Sequence, residues 1–277
     1  MKRAMSSGPS SVGLVDTHAH LADRRYRHDW PGVLHRARAA GVVQVVVVGT
    51  DVEDSRLAVE LAGAHDGLFA AAAVHPNDAA EASPGDFDLI AEMARSPRVV
   101  AVGETGLDRY WDRTPFDVQV DWLRRQMELA AENDLPVILH CRDAYPDIIA
   151  ELGRLNRPVA GVLHSFTGSA DDARALLGLG LHISFAGMIT FANKALDPLR
   201  EVAATVVPDN RILVETDSPY LSPHPFRGTT NEPSRVAATA EALARLRGHS
   251  TDDLARITTE NARNLFRLDP ASALADG

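Results

Sequence analysis

His18 and His20 stand one residue apart in "LVDTHAH" (14–20), directly behind a short apolar run. Two imidazoles at i and i+2 of a strand project to one face and can share an ion. Taken alone, such a pair is more often structural or incidental. Its weight comes from four further residues, because Glu104, His140, His164 and Asp217 each stand at the end of another apolar run. Four imidazoles and two carboxylates form a donor set suited to Zn²⁺, Mn²⁺, Co²⁺ or, less comfortably, Mg²⁺. Two such ions about 3.5–4 Å apart would activate a water between them and steady the leaving oxygen of a phosphodiester.

The elements that must position these groups are legible as eight β-branched or alanine-rich runs: 13–18, 42–49, 68–74, 98–105, 135–140, 158–164, 181–187 and 211–216. Continuous apolar runs of this length read as strands buried on both faces. Between them lie helical patterns such as "DSRLAVELAGAHDG", "DVQVDWLRRQMELAAEND", "SADDARALLGLG" and "EPSRVAATAEALARLRG". Alternation repeated eight times, at about 30 residues per unit, predicts an α/β fold: a single-domain (β/α)₈ TIM barrel. A doubly wound open sheet is the rival, but no GxGxxG follows the first run. The expected boundaries are a disordered tail over 1–12, the barrel over 13–268 and a flexible tail over 269–277.

In a barrel the chemistry belongs at the C-terminal strand ends. Closure would bring Asp217, from the eighth strand, beside His18 and His20 on one ion. His140 and His164, on adjacent strands, would complete a second, with Glu104 bridging through its two oxygens. His75, in "AVHP", either touches substrate, supports the ligands, or marks a turn before Pro76. Tyr110 and Trp111 either stack on a base or form an aromatic lid over the rim. Arg227 is a candidate phosphate contact. Cys141 follows a ligand, so strand alternation turns it away and assigns it a packing role.

Composition sets the outer limits. Apolar residues make up 45% of the 277, enough for a substantial core. No apolar run reaches the roughly 18 residues of a membrane span, the first dozen residues lack the apolar stretch of a secretory signal, and the single cysteine fits a reducing cytoplasm. The net charge of −10, from 28 basic and 38 acidic residues, excludes a broad basic surface for long nucleic acid. It leaves open an enzyme that grips a phosphate chain locally. No long apolar patch calls for a partner, so a monomer is expected.

Seven motifs then appear in order: "DTHAHL" (16–21), "VHP" (74–76), "VGETGLD" (102–108), "HCRDA" (140–144), "HSFTGS" (164–169), "ETDSPYL" (215–221) and "RGTTNEP" (227–233). Together they resemble the TatD family of metal-dependent deoxyribonucleases, from Val15 to about Leu268. The resemblance implies a barrel with a two-metal site acting on DNA phosphodiester bonds from a 3′ end. It carries His18, His20 and Asp217 onto one ion, His140 and His164 onto the other, and Glu104 between them. It also implies that Asp217 takes the proton from the attacking water, with Glu215 an orienting neighbour. Two departures stand out: Ser165 replaces a common cysteine, and Thr229 and Thr230 stand where basic residues are usual. The second, with the net charge, predicts a weaker grip on DNA.

The function expected is therefore a 3′→5′ exodeoxyribonuclease preferring single-stranded or frayed ends. The alternative is an amidohydrolase acting on a small cyclic amide or a related ester. Many binuclear members of that wider superfamily bridge their ions with a carboxylated lysine on the fourth strand, where this chain has Glu104.

Overall fold

The computed structural model describes residues 12–275; the N-terminal tail expected for 1–12 lies, apart from Val12, outside the described residues. The eight apolar runs form β1 (Leu14–Ala19), β2 (Val42–Val48), β3 (Leu68–Ala72), β4 (Val99–Asp108), β5 (Val137–Arg142), β6 (Gly161–Leu163), β7 (His182–Phe185) and β8 (Ile212–Val214). They make one parallel sheet in sequential order, as a (β/α)₈ barrel requires. The connecting helices are α1 (Trp30–Ala39), α2 (Val52–Ala64), α3 (Asp86–Met93), α4 (Phe116–Glu132), α5 (Tyr145–Gly153), α6 (Ala170–Gly178), α7 (Asp197–Glu201), α8 (Val236–Arg247) and α9 (Thr251–Phe266).

Local chemistry starts and stops these helices. The Asp51 carboxylate accepts the Asp54 amide ahead of α2, and a reciprocal Ser169–Asp172 box opens α6. Gly248, at φ +72, closes α8 in the left-handed region before Ser250 caps α9. The outward strand faces pack on the helices, while Val15, Val46, Val48, Ile138 and Leu213 cluster with Phe266 of α9 and Leu268. None of the described helices is long and apolar enough to cross a membrane.

The chain after α9 departs from the expected flexible tail. Gln44 donates to the carbonyls of Asp269 and Ser272, the Leu274 amide bonds to the Val43 carbonyl, and the Leu274 side chain is buried. Residues 269–274 are therefore strapped under the N-terminal ends of β2 and β3, opposite the site. Gln44, a lone polar residue in an apolar strand, is the group that holds them there.

The barrel closes between β8 and β1 with little regular pairing, through one bridge from Ala19 to Ser218. Side chains tie the rest of the seam. Asp16 accepts the Thr216 amide at 2.9 Å, the Thr216 hydroxyl at 2.6 Å and the His18 amide at 3.3 Å. Burial pushes its carboxyl up to about 8 despite these three donors. Asp16→Ala leaves those donors unanswered in a dry seam, and denaturant titration is expected to show a loss of about 3 kcal/mol. A loss below about 1 kcal/mol would mean that water or a rearranged strand replaces the carboxyl group.

Candidate metal centre

The strand ends deliver their polar groups to one point at the barrel mouth, and Glu104 is at its centre, buried to 3% exposure. It reaches that point through an irregularity in β4: the pairing with β5 shifts register between Val102 and Thr105. The next turn of β4 lies so close to β5 that a Cβ on Gly106, at φ +149, would meet the His140 carbonyl oxygen at 2.0 Å. Only glycine permits that approach.

The two oxygens of Glu104 face different partners. Oε2 lies 3.2 Å from His18 Nε2 and 3.6 Å from His20 Nε2. Oε1 lies 2.8 Å from His164 Nε2, 2.9 Å from His140 Nδ1 and 3.3 Å from His75 Nε2. Asp217 completes the first side, its Oδ1 3.5 Å from His20 Nε2. All six residues expected as ligands thus converge. Three overlapping groups have donor atoms close enough to hold an ion: His18, His20 and Asp217; His18, Glu104 and His164; His75, Glu104 and His140.

Hydrogen bonding behind the rings sets His20 and His140 apart from His75, whereas the buried Nδ1 of His18 has no hydrogen-bond partner. The carbonyl of Val48 accepts from His20 Nδ1 at 3.1 Å, so its Nε2 lone pair faces the centre. His140 is braced the other way round, Nε2 donating to Asp108 Oδ2 at 2.9 Å, with Nδ1 toward Glu104. His164 turns Nδ1 to Glu215 Oε1 at 3.4 Å. His75 is the opposite case. Its Nδ1 accepts the Asn77 amide at 3.1 Å, so the neutral ring carries its proton on Nε2 and donates into the cavity. His75 is built as a hydrogen-bond donor, although its position alone would admit it to a ligand group.

The electrostatics follow this arrangement. Burial alone would raise the Glu104 carboxyl, but His164, His75 and His18, with the His140 hydrogen bond, hold it well below the usual carboxylate range. Burial works against charging His164, yet Glu104 and Glu215 lift it well above an ordinary imidazole. His140 is raised against its burial by Asp108 and Glu104. Burial, reinforced by His164, lowers His18.

Asp108 escapes the sequence reading because β4 is taken to end at Thr105, whereas it continues through Asp108. The residue closes the quoted "VGETGLD", so reading that motif to its end would have exposed it. Asp108→Ala should cost about 10- to 100-fold in metal affinity or turnover, the usual effect of removing such a brace, measurable by calorimetric titration with Mn²⁺. An unchanged affinity and rate would show that packing alone orients His140.

Other expected contacts sit differently. The Arg227 guanidinium stacks 3.7 Å over Phe191 and donates to the Ser222 carbonyl. It does not border the 730 Å³ cavity over the centre, so it supports a loop and is not placed to hold a phosphate there. Trp111 borders that cavity, whereas Tyr110 does not. Cys141 is buried and inert, with burial pushing its thiol up to about 12, but it does border the cavity and is not turned fully away.

Comparison with known proteins matches residues 15–267 to the family described as TatD related DNase. The chain belongs to this family. YabD of Bacillus subtilis (strain 168), named an uncharacterized metal-dependent hydrolase, is 43% identical over 92% of this chain and 100% of its own. A Klebsiella pneumoniae (strain 342) protein named 3′-5′ ssDNA/RNA exonuclease TatD is 36% identical, covering 92% of this chain and 98% of its own. The crystal structure of YJJV, a TatD homolog from Escherichia coli K12, superposes with a TM-score of 0.85 at 34% identity, covering 92% and 98% of the two chains. Within this TatD chain the two departures fall outside the donor set. Ser165 donates its amide to Glu215 Oε1 at 2.6 Å, and Thr229 hydrogen-bonds within an exposed loop.

The donor set fits divalent cations. Four lone-pair nitrogens and two carboxylates, three of the six residues (His18, Glu104 and His164) buried, converge without enough protons among them to satisfy one another. His18 Nε2 and His20 Nε2, for example, face each other at 3.1 Å.

Proposed function

We propose that this protein is a two-metal phosphodiesterase that removes nucleotides from the 3′ end of single-stranded or frayed DNA. The observation that carries the reading is the divided carboxylate of Glu104, one oxygen turned to His18 and His20 and the other to His140 and His164. His18, His20 and Asp217 would hold one ion and His140 and His164 the other, with Glu104 shared. Mg²⁺, Mn²⁺, Zn²⁺ or Co²⁺ in these places would supply Lewis acidity, easing deprotonation of water and neutralising charge on the phosphodiester.

The chain's own groups do the rest. Asp217 accepts the proton of the attacking water: burial opposes its charge, but the His20 hydrogen bond keeps the carboxyl below its ordinary range and so ionised at neutral pH. His75 Nε2–H donates to a phosphoryl oxygen, and its lowered basicity, caused mainly by burial, keeps it neutral. The names of the Klebsiella relative and the family support a nucleic-acid substrate and 3′→5′ direction. The acidic chain and Thr229–Thr230 support local rather than extended binding.

Metal-stripped protein reloaded in turn with Mg²⁺, Mn²⁺, Co²⁺ or Zn²⁺ tests the reading, on single-stranded and duplex DNA, an RNA strand, and a small amide and ester panel. Stepwise shortening that retains a 5′ label and releases a 3′ label is expected. Cleavage confined to the amides would overturn it.

A further inference from the structure

We infer that Trp111, Tyr110 and Arg142 form a stacking platform for unpaired bases on the 5′ side of the scissile bond, so that the strand leaves the cavity across the β4–β5 rim. The inference rests on the nucleic-acid reading above and adds the path of the strand. Its starting point is exposure: Tyr110 and Trp111 are 53% and 44% exposed, whereas Trp122 is buried and Trp30 donates to the Leu21 carbonyl. The two exposed rings stand edge to face, centroids 4.9 Å apart.

The backbone beneath them is held in advance. Asp108 Oδ1 accepts the amides of Tyr110 and Trp111 at 2.8 and 2.9 Å. Gln119, itself buried, accepts the Asp108 amide and donates to the carbonyls of Asp108 and Thr114. A platform ordered before binding loses little conformational entropy on binding. The other oxygen of Asp108 holds His140, so one carboxylate sets both the rings and the centre.

Charge selects the direction. The Arg142 guanidinium lies 3.7 Å over the Tyr110 ring and Arg113 lies 5.2 Å from the Trp111 centroid, and both arginines border the cavity. A base on an aromatic face with a phosphate beside an arginine is how single strands are held without sequence preference. Neighbouring Arg109 is already paired with Asp147. The β4–β5 side of the cavity sets Arg113 and Arg142 against one flanking acid, Asp143. The β1–β3 side is bordered by Asp23, Asp54 and Asp78 with no arginine among the lining residues, and would repel a phosphate chain. Tyr220, also exposed, lies after β8, where Arg25 packs 5.2 Å from its ring.

Anisotropy of 5′-labelled hexathymidylate and dithymidylate on the full chain in EDTA reads affinity without turnover. Kinetics on unlabelled hexamer with Mn²⁺ separate KM from kcat. Trp111→Ala is expected to weaken hexamer binding about tenfold and to raise KM more than it changes kcat. Trp111→Phe should recover most of the loss, Arg142→Gln should lose about fivefold, and every loss should be smaller on the dinucleotide. Hexamer affinity unchanged in Trp111→Ala, equal losses on both lengths, or a loss confined to Tyr220→Ala would overturn the platform. A wild-type protein that hydrolyses bis(p-nitrophenyl) phosphate but neither binds nor trims any strand would overturn the nucleic-acid reading beneath it.

Discussion

Glu104→Gln is expected to lower phosphodiester hydrolysis by about 10³-fold or more, some 4 kcal/mol of transition-state stabilisation, and to leave the protein unable to hold its full complement of metal. The change is nearly isosteric, so the cause is charge and donor type. A carboxylate offers an acceptor to His18 and His20 on one side and to His140 and His164 on the other. An amide has one acceptor oxygen, so whichever way it turns, an N–H points at one of the two sides. Metal content by mass spectrometry and turnover on a labelled strand should fall together. A variant that keeps full metal content and more than a tenth of the rate would show that Glu104 is not the shared ligand.

The metal-free protein should carry a pH signature of the same cluster. Glu104 is depressed, so its stabilisation is present above the unfolded carboxyl range and is lost as pH falls through the lower folded value. His164 is raised, so its contribution is full below about 6.5 and is lost as pH rises through the higher folded value. Metal-free protein is therefore expected to be most stable between these limits and to lose melting temperature on the alkaline side. Glu104→Gln removes the main partner of His164 and should flatten that alkaline loss.

Much of this arrangement could be read from the chain because its causes are local. A strand buried on both faces must be apolar along its length, and β2, "VVQVVVV", has no other reading. The ligand positions follow once eight such strands place their C-terminal ends together. The remainder depends on contacts between residues far apart. Asp16 and Thr216 tie the seam across 200 positions, and nothing near either one announces it. Asp108 is hidden by the register shift that lengthens β4. Arg227 has the right charge for a phosphate but finds Phe191 instead. α9 begins at an ordinary Ser250 cap, yet it is not among the helical segments picked out from the pattern, which ends at Gly248. His75 is ambiguous in sequence for another reason: its role turns on which nitrogen meets the Asn77 amide, and sequence carries no record of that.

Asp217→Asn is expected to lower kcat by about 10³-fold, the middle of the range for removing a general base, with the fold preserved. Asp217 has φ +53, and asparagine is, after glycine, the uncharged residue that best tolerates this left-handed conformation. Its amide donates to the His18 carbonyl at 2.9 Å, a bond the variant keeps, so the melting temperature should barely move. The pH–rate profile distinguishes the roles. Burial opposes ionisation of Asp217, but His20, His164 and His18 hold its carboxyl below 3.8, and bound cations would lower it further. It is then ionised from pH 5 upward, and any acid limb of the wild-type profile in that range belongs to the imidazoles. The variant should keep the shape of the profile on a lower plateau. Saturating Mn²⁺ should not restore the rate if the lost function is proton acceptance, whereas recovery with added metal would make Asp217 a ligand alone.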